Sequence, residues 1–142
     1  LLYGEQLILV TASFDKTIKL HTVIMAGEEV RLEWKATFSG HPTAVLSVDY
    51  SPELASMASS DADGNLMVWD MEGKCVQKVA LGSGEGSLVV SIRHVRFSPK
   101  GDLLAVTNGN ELLFLDPGKA YSPAYRVTSP SGMLIGGLQW EE

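Results

Sequence analysis

The chain has 142 residues, 45% of them apolar, and a formal net charge of −6. That length and composition are typical of a globular protein with enough apolar sequence to build a core. Binding to nucleic acid depends on Lys and Arg side chains that neutralise phosphates, so an acidic chain without a basic stripe is not expected to contact nucleic acid directly.

The N-terminus and the cysteine content indicate the cellular setting. Residues 1–5 lack the basic start and long apolar run of a signal peptide, and no stretch approaches the length of a membrane span. The single cysteine, Cys75, cannot form an intrachain disulfide. These features predict an intracellular protein, cytoplasmic or nuclear, with no membrane insertion. Because the chain begins without Met and inside an apolar strand pattern, we expect it to be a piece of a longer protein.

Short alternating apolar segments recur along the chain with one period. From the N-terminus they occur at 16–21, 45–52, 65–70, 92–99, 111–116 and 135–140. Those at 45–52, 92–99 and, more weakly, 135–140 are copies of one element, whose aromatic anchors lie 47 and 43 residues apart. The other three are copies of a second element, with steps of 48 and 46 residues. Two elements that share a period indicate a repeated structural unit.

Each unit has the pattern of short β-strands. Apolar and polar residues alternate over five to eight positions, and Gly, Asp, Asn, Ser or Pro separate the runs. The sequences FDKT, DADGN and NGNE stand where a tight turn would join two antiparallel strands. The sequence therefore predicts an all-β protein in which each unit contains four strands.

The second unit resembles the WD repeat, the four-stranded blade of β-propellers. The resemblance rests on Gly40-His41, the strand ending in Tyr50-Ser51-Pro52, and then Ser59, Asp63-Gly64 and Trp69-Asp70. It implies an incomplete ring of blades. Residues 1–40 would form a blade lacking its innermost strand, 41–87 a complete blade, 88–132 a degenerate blade and 133–142 the innermost strand of a further blade.

The resemblance also implies a structural hydrogen-bond set made of His41, Ser59, Asp63 and Trp69. Trp donates one hydrogen bond, Ser and neutral His can each accept and donate, and a carboxylate accepts the last proton. The competing interpretation is a catalytic triad of Ser59, His41 and Asp63. We favour the structural role, because Ser59 stands in the middle of an apolar strand and no nucleophile-elbow motif surrounds it.

The flanking units depart from the WD pattern. The first has Thr11 and Asp15 at the Ser and Asp positions but His21-Thr22 in place of Trp-Asp. The third has Ala105, Gly109 and Leu115 where Ser, Asp and Trp are usual, and it lacks Gly-His. Only the second unit is predicted to close the complete hydrogen-bond set.

About three blades are too few to close a ring, since propellers typically have four to eight. We expect the remaining blades to come from the same longer chain, with a partner or a second copy as the alternative.

The predicted function is that of a protein-interaction scaffold whose loops dock peptides or subunits of a multiprotein complex. The candidate docking residues are Phe14, Pro42, Thr43, Asp61, Ala62 and Glu85. The acidic excess of 41–87, with seven acidic and two basic residues, favours partners with basic segments. The alternative is a non-catalytic propeller segment of a larger enzyme, or a regulatory or substrate-recognition subunit. No cofactor is predicted, and no metal, because the three histidines lack ligand-like spacing.

Overall fold

The computed structural model of the chain describes residues 2–3, 6–81, 91–107, 111–128 and 139–141. These residues form three separate four-stranded antiparallel sheets, and the strands of each sheet are consecutive in the chain. The prediction of an all-β fold built from four-stranded blades is confirmed. Within the described part of the chain, no helix is long and apolar enough to cross a membrane.

The first blade has an innermost strand of only two residues and an unusually long outer pair. Its strands are β1 (Leu2–Tyr3), β2 (Gln6–Ala12), β3 (Thr17–Ala26) and β4 (Glu29–Ser39). The predicted element ended at residue 21, whereas β3 runs on and β4 is 11 residues long. The alternation of Val30, Leu32 and Trp34 with charged residues is the sequence signal for this extension.

The second blade is the most regular. Its strands are β5 (Val45–Ser51), β6 (Ser56–Asp61), β7 (Asn65–Trp69) and β8 (Cys75–Ala80). The turn between β6 and β7 contains Gly64 at a φ of 82°, a conformation that glycine adopts without steric cost. DADGN is therefore the hairpin turn that the sequence predicted.

The third blade follows after residue 91. Its strands are β9 (His94–Phe97), β10 (Leu104–Thr107), β11 (Glu111–Asp116) and β12 (Ser122–Thr128). Most of the predicted further strand at 133–142 lies outside the described residues. Trp140 is described; its Nε1 donates to the Arg96 carbonyl at 3.1 Å.

The second sheet is buried on both faces because its neighbours cover one face each. Met57 and Trp69 belong to the core shared with the first blade, and the adjacent Ala58 and Val68 belong to the core shared with the third. Successive side chains of a strand point to opposite faces, so β6 and β7 consist almost entirely of buried residues.

Backbone groups also join the blades. Val45 N–H donates to the Ser13 carbonyl at 3.0 Å, and Ile92 N–H donates to the Asp61 carbonyl at 3.1 Å. On the innermost strands, the Asp49 carboxylate accepts the N–H of Phe97 at 2.7 Å. Burial raises the pKa of Asp49, and this hydrogen bond opposes the rise. The three sheets thus form a continuous succession of packed blades.

The register of the third blade corrects one sequence alignment. Ser59 pairs with Val48 on β5 and Met67 on β7. The residue with the equivalent pairings, to Val95 and Leu113, is Val106. The prediction that Ala105 occupies the Ser position was wrong by one residue, because a comparison of sequences alone does not fix the strand register. Gly109 lies outside the described residues.

Candidate functional site

A chain of buried side-chain hydrogen bonds closes the second blade. Trp69 Nε1 donates to Ser59 Oγ at 2.8 Å, and Ser59 Oγ lies 2.6 Å from His41 Nε2. His41 Nδ1 lies 2.9 Å from Asp61 Oδ2. The structure therefore brings three of the four predicted residues together, and the fourth member is Asp61.

The choice of Asp63 as the fourth member was wrong. Asp61 is the last residue of β6, and its Oδ1 accepts the backbone N–H of Asp63 at 3.0 Å and of Asn65 at 2.9 Å. The same carboxylate therefore caps the hairpin turn and binds His41. Asp63 stands at the tip of that turn with its side chain exposed. A carboxylate at the start of a turn commonly accepts hydrogen bonds from the backbone two residues on.

The protonation of His41 follows from its partners. Burial lowers the pKa of His41 below its ordinary value of 6.5, against the opposing effect of Asp61. A neutral imidazole donates from one nitrogen and accepts at the other. With the proton on Nδ1, His41 donates to Asp61 and accepts from the Ser59 hydroxyl, which in turn accepts from Trp69. Every polar group in the chain then has a partner.

The connectivity Ser59, His41, Asp61 is that of a catalytic triad, but no substrate can reach it. Ser59 and Asp61 are fully buried, and the side chain of His41 is 1% exposed. The Trp69 indole N–H also donates a hydrogen bond to the Ser59 oxygen. A nucleophile must face a substrate and an oxyanion hole, so this arrangement satisfies buried polar groups rather than performing catalysis.

The first blade cannot repeat this hydrogen-bond chain. Thr11 pairs with Lys19, as Ser59 pairs with Met67, which places His21 at the position of Trp69. The His21 Nδ1 atom is buried and has no hydrogen-bond partner among the described residues. The third blade has Leu115 at the Trp position, fully buried in an apolar core.

Five of the six predicted docking residues belong to the described part of the chain, and these five gather at one end of the blades. Backbone hydrogen bonds link three loops at this end. The Ser13 carbonyl of the β2–β3 turn accepts from Val45, and the Ala44 carbonyl of the loop before β5 accepts from Ala62 of the β6–β7 turn. We call this end of the blades the loop end. Phe14 projects from it with 81% of its surface exposed.

The other predicted docking residues differ in exposure. Pro42 is exposed, whereas Thr43 and Ala62 are half-buried. Asp61 is buried against His41, so its assignment to the docking surface was wrong, and Asp63 supplies the exposed carboxylate of that turn instead. Glu85 lies outside the described residues.

The described part of the chain was also searched for a metal site and for a ligand-binding groove. It contains no group of three or more His, Cys, Asp or Glu side chains that could hold a metal ion. A groove of about 360 Å³ runs beside the loop end, between Gly40, Met67 and Lys78. Its lining is largely apolar, and Lys78 is its one ionisable side chain.

These features define the class of the protein. Four-stranded sheets that pack face to face, with a Trp-Ser-His-Asp hydrogen-bond chain in the regular one, are β-propeller blades. Residues 33–70 match the family described as WD domain, G-beta repeat. The chain is a WD-repeat protein.

Similar proteins take part in different processes. The transcriptional corepressor LEUNIG_HOMOLOG of Arabidopsis thaliana is 33% identical over 110 residues, or 76% of this chain and 12% of that protein. Transcription initiation factor TFIID subunit 5 of Caenorhabditis elegans is 30% identical over 72% of this chain and 14% of that protein. Eukaryotic translation initiation factor 3 subunit I of Aspergillus terreus is 30% identical over 75% of this chain and 32% of that protein. The chain thus spans less than a third of each relative's length.

Proposed function

We propose that the chain is part of an intracellular interaction scaffold that docks a protein partner at the loop end. The observation that carries the proposal is the 81% exposure of Phe14. A large aromatic side chain at the tip of a turn contributes little to the core, whereas aromatic residues are frequent anchors of protein interfaces. The names of the relatives, which are a corepressor and subunits of initiation factors, support a place in a multiprotein assembly and a location in the cytoplasm or nucleus.

The charge of the loop end favours a partner with basic residues. Asp63 is exposed at the tip of the β6–β7 turn, and no described residue forms a salt bridge with it. Asp15, next to Phe14, is also exposed, but its carboxylate is paired with Lys19 at 3.2 Å. Hydrogen bonds from Thr17 and Ser13 lower the pKa of Asp15 to about 2, so this carboxylate stays charged throughout the physiological range. Surface charges of this kind mainly steer association and set its dependence on salt.

The proposal can be tested by site-specific photo-crosslinking in the full-length protein. A photoreactive phenylalanine analogue at position 14 should capture a defined partner. The same analogue at position 76, where the valine is 52% exposed on the outermost strand β8, serves as the matched control. An adduct that forms equally at both positions, or at neither, would refute docking at the loop end.

The identified partner then allows binding to be measured. Phe14→Ala should speed dissociation by roughly 30-fold, which corresponds to a hot spot of about 2 kcal/mol. Asp63→Lys should slow association and weaken its salt dependence. Glu53→Lys, which makes the same charge change at an exposed site on the opposite end of β6, should leave both rates unchanged.

A further inference from the structure

Three Ser-Pro dipeptides lie in the described part of the chain, and the fold gives them different surroundings. They are Ser51-Pro52, Ser98-Pro99 and Ser122-Pro123. The first two end the copies of the repeated element at 45–52 and 92–99, whereas the third begins the outer strand β12. A fourth Ser-Pro, at 129–130, lies outside the described residues.

The hydroxyl groups of the first two serines are engaged in the fold. Ser51 is 2% exposed, and its Oγ accepts the N–H of Leu54 at 3.3 Å. Ser98 is 7% exposed; its hydroxyl donates to the Asp102 carboxylate at 2.5 Å and accepts the N–H of Leu103 at 3.0 Å. A group could be transferred to either oxygen only after these contacts break.

The Ser122 hydroxyl is exposed and unengaged. It forms no hydrogen bond with a described residue, and the ring of Pro123 beside it is exposed as well. Ser122 lines a cavity of about 650 Å³ together with Asp102, Asp116 and Lys119. Space is therefore available next to the serine oxygen.

The backbone at Ser122 is also weakly held. The strand β12 is outermost and pairs only with β11, where Ser122 opposite Asp116 is the last pair and lies beyond a β-bulge. Pro123 has no N–H to donate to the sheet. The preceding Ala120 and Tyr121 have φ angles of 54° and 59°, a left-handed conformation that is costly for residues other than glycine. Segments of this kind open locally at low cost.

We infer that Ser122 is a phosphorylation site for proline-directed Ser/Thr kinases. Such kinases select a serine by the proline that follows it and bind the substrate segment in an extended conformation, which β12 already has. The Ser122 Oγ would form a bond to the γ-phosphorus of ATP while the bond from that phosphorus to the leaving ADP oxygen breaks. The hydroxyl proton would pass to the catalytic Asp of the kinase. The product carries about two negative charges at neutral pH.

The inference rests on the intracellular location in the proposed function but not on docking. The β11–β12 connection corresponds to the β7–β8 turn of the second blade, which lies at the end of the strands opposite the β6–β7 turn of the loop end. A kinase assay contains no docking partner, so its failure would leave the crosslinking result at Phe14 untouched.

The test compares three short synthetic peptides, centred on Ser51, Ser98 and Ser122, with the folded full-length protein. A cyclin-dependent kinase and a mitogen-activated kinase should phosphorylate all three peptides, because each presents Ser-Pro free of the fold. The protein carries Ser129→Ala, and mass spectrometry assigns each phosphate. Ser122 should be modified at least about tenfold faster than Ser51 or Ser98 in the folded protein, since both of these require local opening.

Two variants test how Ser122 is selected. Pro123→Ala keeps the exposed hydroxyl and removes the proline, so phosphorylation of Ser122 should slow by about tenfold or more, which corresponds to about 1.4 kcal/mol. Pro52→Ala is the matched control, and it should leave the rate at Ser122 unchanged. Melting temperatures of both variants, compared with that of the parent protein, show whether the fold is kept.

Three results would overturn the inference. One is an unmodified Ser122 in the folded protein under conditions in which its peptide is phosphorylated. Another is a Ser122 peptide that neither kinase modifies. The third is phosphorylation of Ser51 or Ser98 in the folded protein as fast as that of Ser122, which would mean that exposure in the fold does not select the site.

Discussion

Asp61 stabilises the second blade through two sets of hydrogen bonds at once. One carboxylate oxygen caps the β6–β7 turn through the N–H groups of Asp63 and Asn65, and the other binds the His41 ring. A buried donor that loses its acceptor costs about 1–3 kcal/mol. The residue therefore matters more for stability than its neighbour Asp63, although both are aspartates in one turn.

We expect Asp61→Asn to lower the free energy of unfolding by about 2 kcal/mol, because an amide nitrogen would face either the His41 N–H or the turn N–H groups. Asp63→Asn, at an exposed position, should change it by less than about 0.5 kcal/mol. Urea unfolding of the two variants makes the comparison. Equal effects would contradict the assignment of Asp61 to the hydrogen-bond chain.

Trp69 has the largest fully buried side chain of the second blade, and its indole N–H donates to Ser59. Its ring centroid lies 5.6 Å from that of Phe38 on the first blade. Trp69→Ala should cost about 3–5 kcal/mol. Trp69→Phe keeps most of the apolar contact and loses the donor, so its stability should fall between that of the native protein and that of Trp69→Ala. An unchanged melting temperature for Trp69→Ala would refute this prediction.

The lowered pKa of His41 makes stability depend on pH. In the unfolded chain the imidazole binds a proton below its ordinary pKa of 6.5, whereas the folded protein keeps it neutral to lower pH. The unfolded state then binds more protons, so stability should fall as pH drops below about 6.5, with a limiting slope of about 1.4 kcal/mol per pH unit from this group. The raised pKa of Asp49 acts in the opposite direction at more acidic pH.

Comparison with a His41→Gln variant separates the contribution of His41 from that of Asp49 in denaturant unfolding between about pH 5.5 and 7. His41→Gln should be less stable at neutral pH and should show a flatter pH dependence in this range. A His41→Gln variant with the full pH slope of the native protein would show that other groups cause it.

At the scale of elements, the turn that follows β7 is shaped by its contact with the first blade. Gly73 has a φ of +91°, and a Cβ added there would lie 3.1 Å from Cε1 of Phe38. Gly27, in the turn between β3 and β4, has a φ of +66° and no atom within 4 Å of an added Cβ. Both glycines adopt a positive φ, but they differ in packing.

Gly73→Ala and Gly27→Ala therefore form a matched pair. Both substitutions place a Cβ at positive φ, which costs about 1–2 kcal/mol, and only Gly73→Ala must also displace the Phe38 ring between the blades. We expect Gly73→Ala to be the more destabilising of the two in thermal unfolding. Equal losses would mean that the interface between the blades adapts to the extra methyl group without cost.

At the scale of the whole molecule, the outer surfaces of the three-blade succession expose large apolar side chains. Leu9 is 40% exposed on the first blade, and Tyr125 and Val127 on β12 are 65% and 53% exposed. The corresponding surfaces of the second blade are covered by neighbours. Exposed sheet faces and edges of this kind are prone to association.

We therefore expect the 142-residue chain, expressed alone, to self-associate in a concentration-dependent way. Light scattering across a dilution series would detect this. A monodisperse species of 15.3 kDa with a cooperative thermal transition would contradict the prediction and would show that three blades suffice for a stable monomer.

The sequence by itself determined the blade architecture. Strand alternation, turn residues and a period of 43–48 residues are local signals, and each acts over a few positions of the chain. The resemblance to the WD repeat predicted the hydrogen-bond partners His41, Ser59 and Trp69, because that pattern fixes their spacing along consecutive strands. The length of β4 could also have been predicted, since the alternation of apolar and charged residues continues through residues 30–35.

Only the tertiary structure decided which aspartate joins His41, which residue of the third blade replaces Ser59, and which candidate docking residues are exposed. Asp61 and Asp63 are both acidic residues of one turn, and a shift of one residue exchanges Ala105 with Val106. Choosing between such neighbours depends on strand register and on the direction of a side chain relative to the adjacent blade. Contacts between residues far apart in the chain set both, and a local pattern does not contain them.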